Sequence, residues 1–255
     1  MALSEEHQSF LSRFAKPDLH YSFEDAPHAY LKNSSNVSDN DLDMFLNHPN
    51  WKYREAAVSN PNIKSHHLDK MLNDSEYEIR EAVASHKNAT KEHLDKLLTD
   101  KDQYVRAAVA GSPNATKEHI DKALNDKTVS VRESAIANPN ATKEHLDKAL
   151  NDNNFYVRAA VAGSPNATKE HIDKALEDGD YVVRSYAIHN PNATEEHMNK
   201  AVNDSSNIVR MSLANKNNIS KENMSKLLND ADPVVRQTAK ENQKYREYFP
   251  NGHED

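Results

Sequence analysis

The chain is built on a 26-residue period, and this spacing constrains its fold more than any other feature of the sequence. Twenty residues, VRAAVAGSPNATKEHIDKAL, occur twice letter for letter, at 105–124 and at 157–176. Self-similarity at a period of about 20–50 residues is typical of proteins in which each repeat packs only on its neighbours. The period is marked by eight arginines without an insertion: Arg54, Arg80, Arg106, Arg132, Arg158, Arg184, Arg210 and Arg236.

Each period predicts two short helices. Within 138–152, Thr142 is a favourable N-cap, and Leu146 and Leu150 have the spacing of an amphipathic first helix. A second helix of small residues is predicted from about Val157 up to the next Gly-Ser-Pro, where proline cannot continue it. Neither helix can bury enough apolar surface alone, so stability must come from stacking each repeat on the next.

These patterns predict an all-α solenoid of about eight two-helix repeats. We expect a capping helix in residues 1–27, with Phe10 and Phe14 on its apolar face, because a terminal repeat must shield the end of the stack. The solenoid is expected to cover 28–235, and a C-terminal cap with a polar tail to cover 236–255.

Composition disfavours several classes of function. Lysine and arginine number 32 against 40 aspartates and glutamates, and this net charge of −8 argues against a broad basic surface for nucleic acid or an anionic membrane. Cysteine is absent, which excludes disulfides, thiolate metal sites and cysteine nucleophiles. No secretion signal or membrane-spanning apolar run occurs, so we expect a cytoplasmic protein that binds no membrane.

Sequence motifs of catalysis are also missing. The chain has four glycines and none of the glycine-rich phosphate loops, nucleophile elbows or paired-histidine zinc motifs. Its carboxylates recur with the repeat, whereas an active site is built once. We therefore expect no enzyme, no catalytic residue and no cofactor.

An aspartate series accompanies the arginines at the turn between the two helices. Such an aspartate can cap the second helix and accept a charge-assisted bond from an arginine of its own or the adjoining repeat. We interpret the two series as a structural ladder, and a basic stripe that binds a ligand is the alternative. The aspartates, each six residues before an arginine, are Asp74, Asp100, Asp126, Asp152, Asp178, Asp204 and Asp230.

A histidine series precedes the first apolar residue of each first helix. Adjacent helices lie about 8–10 Å apart, whereas zinc holds its nitrogen ligands at about 2 Å, so no metal site is expected. We interpret these side chains as half-exposed and packed on the preceding repeat, and pH sensitivity is the alternative, since an ordinary imidazole titrates near pH ~6.5. The series is His67, His93, His119, His145, His171 and His197.

A lysine series lies on the same helices, mostly four residues after a glutamate. This is the favourable order for a helical ion pair, so we predict a solvated face, with nucleic-acid contact as the alternative. The lysines are Lys70, Lys96, Lys122, Lys148, Lys174, Lys200 and Lys226.

Difference between repeats concentrates in the turn after the longer, first helix. Aromatic residues recur there beside Glu76, Glu78, Asp102 and Asp180, and equivalent positions of a solenoid form a row along one edge. Tyrosine and tryptophan are enriched at binding hot spots, so this row is our candidate partner-binding surface; packing between repeats is the equal alternative. The candidates are Trp51, Tyr77, Tyr104, Phe155, Tyr156 and Tyr181.

The pattern D-x-x-x-x-V-R-x-A-V-A-x-N-P-N-x-T/S resembles the leucine-rich repeat variant family over about 38–239 and, through its D-x-x-x-x-V-R core, the wider HEAT-like group. The resemblance implies a right-handed superhelix of helix pairs, with one helix of each pair either α or 3₁₀. It also implies a bacterial or phage origin and diverse roles rather than one activity. Without cysteine, the iron–sulfur cluster of one family member has no ligands here.

We therefore expect a non-catalytic scaffold that binds a protein or peptide partner, as an adaptor or an inhibitor. One alternative is a HEAT-like nucleic-acid-binding protein with lysines along a concave face, although the net charge disfavours it. A self-assembling structural solenoid is another. The sequence leaves the oligomeric state open.

Overall fold

The computed structural model describes residues 26–252, and within this range every regular element is an α-helix and no strand occurs. The predicted capping helix with Phe10 and Phe14 lies outside the described residues. The chain divides into an N-terminal unit, Met1–Ala123, and a C-terminal unit, Leu124–Asp255.

In the N-terminal unit, first and second helices alternate after an initial helix at Ala26–Asn33. The first helices are Asp39–Leu46, Ser65–Met71, Lys91–Leu97 and Lys117–Ala123. The second helices are Trp51–Val58, Tyr77–Ser85 and Gln103–Gly111.

The C-terminal unit has the same alternation and ends in a short helix at Tyr245–Tyr248. Its second helices are Val129–Ala137, Phe155–Gly163, Tyr181–His189, Asn207–Ala214 and Pro233–Glu241. Its first helices are Lys143–Ala149, Lys169–Ala175, Glu195–Ala201 and Lys221–Leu228.

Both helices of each described pair are α-helical, so the 3₁₀ option does not occur. The first helices have seven or eight residues and the second helices eight or nine, so the expectation of a longer first helix was wrong. Four second helices have their C-cap at a serine or asparagine directly before a proline, and a residue in that place is disfavoured in the helical conformation. These C-caps are Ser112, Asn138, Ser164 and Asn190.

The core runs along the inner faces of both helices. In the second helices the residue before each arginine is fully or nearly fully buried, as at Val105 and Val157, and the first helices bury leucine or isoleucine, as at Leu94 and Ile172. Alanine, glycine and serine fill other positions of the second helices, which allows neighbouring second helices to approach closely. Each repeat thus buries its apolar stripe only against adjoining repeats, as a period of this length requires.

Candidate functional site

The arginine series forms bidentate ion pairs with aspartates of the following repeat, 20 residues further along. Nε and Nη2 of Arg80 donate to the two carboxylate oxygens of Asp100 at 2.6 and 3.0 Å, and Nη1 donates to the carbonyl of Asp74 at 2.6 Å. Each such arginine joins two repeats. The pairs are Arg54 with Asp74 and Arg80 with Asp100 in the N-terminal unit, and Arg132 with Asp152, Arg158 with Asp178, Arg184 with Asp204 and Arg210 with Asp230 in the C-terminal unit.

These aspartates do not cap the second helices, contrary to the prediction. Oδ1 of Asp126 accepts the N–H of Thr128 at 2.8 Å and so closes a turn in front of the helix, whose N-cap is Thr128 itself. Asp100 closes the same turn onto Asp102, and Asp102 then caps the helix by accepting the N–H of Tyr104. The helix starts two residues too late for the ladder aspartate to reach its free N–H groups.

The pairs largely neutralise the charge of their arginines. Burial alone would raise the pKa of Asp152, but hydrogen bonds from Arg132 and the Asn154 backbone hold it below its ordinary value. The hydrogen bond from Asp152 in turn raises the pKa of Arg132. Both side chains are about nine-tenths buried, so the pair is a built-in element of the repeat rather than a free phosphate-binding group.

The histidine series is buried, and the expectation of half-exposed side chains was wrong. All six rings are 0–2% exposed. In each, Nδ1 accepts the N–H of the residue three before it, for example from Thr90 to His93 at 2.9 Å, while Thr90 Oγ1 accepts the N–H of His93. Histidine therefore replaces the usual glutamate of a capping box and closes the N-terminus of the first helix.

In the neutral imidazole, Nε2 carries the ring proton, because Nδ1 accepts the backbone N–H. Nε2 of His93 lies 3.0 Å from a carboxylate oxygen of Asp69, in the preceding first helix, and Nε2 of His119 lies 3.2 Å from Asp95. Burial lowers the pKa of His119, and the charge of Asp95 offsets this only in part. Burial likewise lowers the pKa of His67, His171 and His197, so the pKa of these four lies below the ordinary value assumed in the pH-sensitivity alternative.

Two classes of site find no support in the part of the chain described. No three histidine, aspartate or glutamate side chains gather there as they would around a metal ion. No helix between residues 26 and 252 is both long enough and apolar enough to cross a membrane.

The lysine series is exposed on the first helices and pairs in more than one way. Lys226 forms the predicted ion pair with Glu222, four residues before it, at 2.8 Å. Lys200 instead reaches Asp173 of the preceding repeat at 3.0 Å, and this contact helps to lower the pKa of Asp173 to about 2. The exposed face of the first helices thus carries lysines and carboxylates, several of which form ion pairs.

Asparagines of the N-P-N motif form a second link between repeats, which reasoning from the sequence missed. Nδ2 of the buried Asn190 donates to the carbonyls of Ala162 and Ser164 in the preceding repeat, at 2.6 and 2.9 Å. Asn192 adds bonds to Pro165 and another carbonyl two residues further on. The signal was the recurrence of N-P-N with the period, since a turn alone needs no second asparagine.

The exposed apolar surface of the described residues lies on the second helices. Seven large apolar side chains are 37–54% exposed, and none of them is on a first helix. Most lie two residues before or after an arginine, at positions that share one helical face. They are Trp51 and Tyr104 in the N-terminal unit, and Tyr156, Tyr181, Tyr186, Ile208 and Val234 in the C-terminal unit.

In the N-terminal unit this face is aromatic and acidic. The rings of Tyr77 and Tyr104, on adjacent second helices, stack with centroids 5.6 Å apart, which leaves Tyr77 half-buried and Tyr104 54% exposed. Burial raises the pKa of Glu81, and the charges of Glu78 and Asp102 raise it further. Like charges thus crowd around a stacked tyrosine pair.

In the C-terminal unit the corresponding face is mostly apolar. Phe155 is half-buried against Tyr156, with centroids 4.1 Å apart. The ring of Tyr186 covers Gly163 of the preceding second helix, where an added Cβ would lie 3.0 Å from the ring. The sequence candidates did not include Ile208 and Val234, because aliphatic residues, unlike tyrosine and tryptophan, are not enriched at binding hot spots.

No protein-family model matches the chain, and no curated protein is similar to it at a significant level. Among solved structures, the chain is similar to a leucine-rich repeat variant with a novel repetitive protein structural motif. The two share 20% sequence identity over 94% of this chain and 96% of the other, with a TM-score of 0.60. This similarity shows the fold: a helical repeat array of the leucine-rich repeat variant type.

Proposed function

We propose that this chain, which has the fold of a leucine-rich repeat variant, is a non-catalytic scaffold that binds a protein or peptide partner through its second helices. One observation carries the proposal: the large exposed apolar side chains of the described residues all lie on these helices, while the first helices expose charged side chains, several of them in ion pairs. Tyrosine-rich exposed faces are favourable for protein contact.

The bonds that recur from repeat to repeat and the second-helix face that varies have different roles in this proposal. The Arg–Asp pairs, histidine boxes and asparagine bonds recur and hold the repeats together, so they leave little freedom for a binding site. The second-helix face changes from repeat to repeat and can be fitted to one partner, as expected of an adaptor or an inhibitor in the cytoplasm.

The test compares the immobilised wild-type protein and two variants in lysate with and without nuclease treatment. The face variant carries Tyr104→Ser, Tyr156→Ser and Tyr186→Ser, all at side chains more than half exposed, so folding should be retained. The matched control carries Lys96→Ser, Lys122→Ser and Lys174→Ser on exposed first-helix positions. We expect a protein that wild type and the lysine variant retain and the face variant loses, and that rebinds wild type when purified.

The same experiment separates the alternatives. Retention that disappears with nuclease and with the lysine variant would overturn the proposal in favour of nucleic-acid binding. Equal retention of one partner by all three proteins would move the binding surface away from the second helices. Circular dichroism melts of each variant establish that a loss of binding is not a loss of fold.

A further inference from the structure

We propose that the second-helix face of the N-terminal unit binds a basic protein segment, with an arginine side chain of that segment seated on the Tyr77–Tyr104 stack between carboxylates. The acidic–aromatic face is defined here as Tyr77, Glu78, Glu81, Asp102 and Tyr104. This inference rests on the proposed function, because it names the chemistry of the partner.

The aromatic stack supplies the first part of the argument. Tyr77 and Tyr104 come from two adjacent repeats and lie with their planes 30° apart, so together they present a broad ring surface. Tyr104 is 54% exposed although it contacts another ring. The faces of such rings carry partial negative charge and attract guanidinium groups, which stack on them more readily than ammonium groups.

The carboxylates supply the second part. The causes that raise the pKa of Glu81 are burial and the negative charges of Glu78 and Asp102, and no cation opposes them. The charge of Glu78 is also the largest cause that raises the pKa of Tyr77. In the described part of the chain neither Glu78 nor Glu81 forms an ion pair with a lysine or arginine, unlike Glu55, which Lys32 pairs at 3.0 Å. A bound cation would relieve this repulsion.

Charge complementarity therefore selects the occupant. The positions of Glu78 and Glu81, two before and one after the arginine, carry Tyr156 and Ala159 in one repeat of the C-terminal unit and Ile208 and Met211 in another, so these second helices favour an apolar surface instead. An arginine-containing segment satisfies both features of the N-terminal face, since its guanidinium stacks on the rings while its donors reach the carboxylates.

The test measures fluorescence anisotropy of three labelled peptides of equal length, alternating serine with arginine, lysine or glutamate, against the full chain at about 50 mM salt. The acid variant carries Glu78→Gln, Glu81→Gln and Asp102→Asn; asparagine keeps the N-cap of its helix. The control carries Glu92→Gln, Glu170→Gln and Glu196→Gln on exposed first-helix positions, which changes the net charge equally.

We expect the arginine peptide to bind more tightly than the lysine peptide and the glutamate peptide to show no binding. The acid variant should weaken arginine-peptide binding by about tenfold or more, and the control by less than about twofold. Tyr77→Leu with Tyr104→Leu should remove the preference for arginine over lysine, because leucine has no ring quadrupole.

Equal weakening by the acid variant and the control would overturn the inference, since binding would then follow net charge alone. Absence of arginine-peptide binding to wild type would overturn it as well. If the lysate partner still depends on Tyr104, Tyr156 and Tyr186 in that case, the proposed function stands without this inference. If wild type retains no lysate protein whose binding depends on these tyrosines, both are wrong.

Discussion

The second-helix faces of the two units differ although the helices beneath them are held by the same bonds. In the N-terminal unit, Glu78 and Glu81 crowd around a tyrosine stack, and like charge raises the pKa of Glu81. In the C-terminal unit, Tyr186 instead covers a glycine of its neighbour. Because Arg80–Asp100 and Arg132–Asp152 have almost the same geometry, the difference shows that the frame tolerates quite different surfaces.

The largest expected effect tests whether the Arg–Asp pairs contribute equally to stability in the two units. Asp100→Ala and Asp152→Ala each leave a mostly buried arginine without its bidentate partner, which should cost about 3 kcal/mol of unfolding free energy. Urea unfolding measures the loss, with Trp51, the single tryptophan, reporting on the N-terminal unit and circular dichroism on the helices of the whole chain.

The control for this prediction replaces both members of a pair, as in Arg132→Met with Asp152→Leu. Removing both charges leaves no buried ion, so the loss should be clearly smaller than for Asp152→Ala. A loss below about 1 kcal/mol for one single substitution and not the other would show that the frames of the two units are unequal.

The second prediction concerns acid. The lowered pKa of His119 and His171 means that the folded chain binds fewer protons than the unfolded chain between the folded pKa and about pH 6.5. Their contribution is therefore full above about pH 6.5 and is lost as the pH falls through the folded pKa. Protonation also makes Nδ1 a donor facing a backbone N–H, which opens the capping box.

We expect urea unfolding to show lower stability at about pH 5.5 than at about pH 7.5, a range in which most carboxylates stay ionised. His119→Asn and His171→Asn should each reduce this pH dependence to a similar extent, and each by less than the aspartate substitutions change stability. Asn223 already occupies this position in the last described first helix, buried and bonded to Asn199 at 2.8 Å. If the pH dependence of stability is unchanged in both variants, the capping histidines are not the cause of the acid sensitivity.

The smallest effect concerns the bonds of the first asparagine of N-P-N, which the duplicated block replaces with serine while it keeps the second asparagine. Ser112 and Ser164 stand where Asn190 reaches two carbonyls of the preceding repeat. Asn190→Ser should cost about 1 kcal/mol, and Ser164→Asn should add about that amount by restoring donors to the carbonyls 26 and 28 residues before it. Thermal melts should show the same gain for Ser112→Asn, and a gain in one unit alone would mark a difference in repeat spacing.

Much of the fold could be predicted because it depends on spacing. The 26-residue period, the Thr142 cap and the proline stop define the helix pairs, and the second helix at Phe155–Gly163 ends where the sequence indicates. The binding face was harder to predict from the sequence. The position of a residue within the period does not reveal that the ring of Tyr77 stacks on Tyr104 while Tyr104 remains exposed. This stacking depends on how closely the two neighbouring second helices approach each other.

The histidines were predicted to be half-exposed because their sequence neighbours are polar. An imidazole beside lysines and glutamates has the composition of a solvated face, yet both ring nitrogens of His119 have local partners, one backbone N–H and one carboxylate of the neighbouring helix. Once satisfied in this way, the ring can be buried like an apolar group. The spacing Thr-x-x-His was the available signal, since it matches a capping box with histidine in the place of glutamate.

The links between repeats connect residues at fixed separations: 20 for arginine to aspartate, 24 for histidine to aspartate, and 26 and 28 for Asn190 to its carbonyls. A copied stretch of whole periods therefore brings every donor to the right distance from an acceptor, and the gene can lengthen without new compensating mutations. A single inserted codon in a turn would misalign all of these bonds at that junction. The block that occurs twice, with its copies two periods apart, is the kind of duplication that these fixed separations allow.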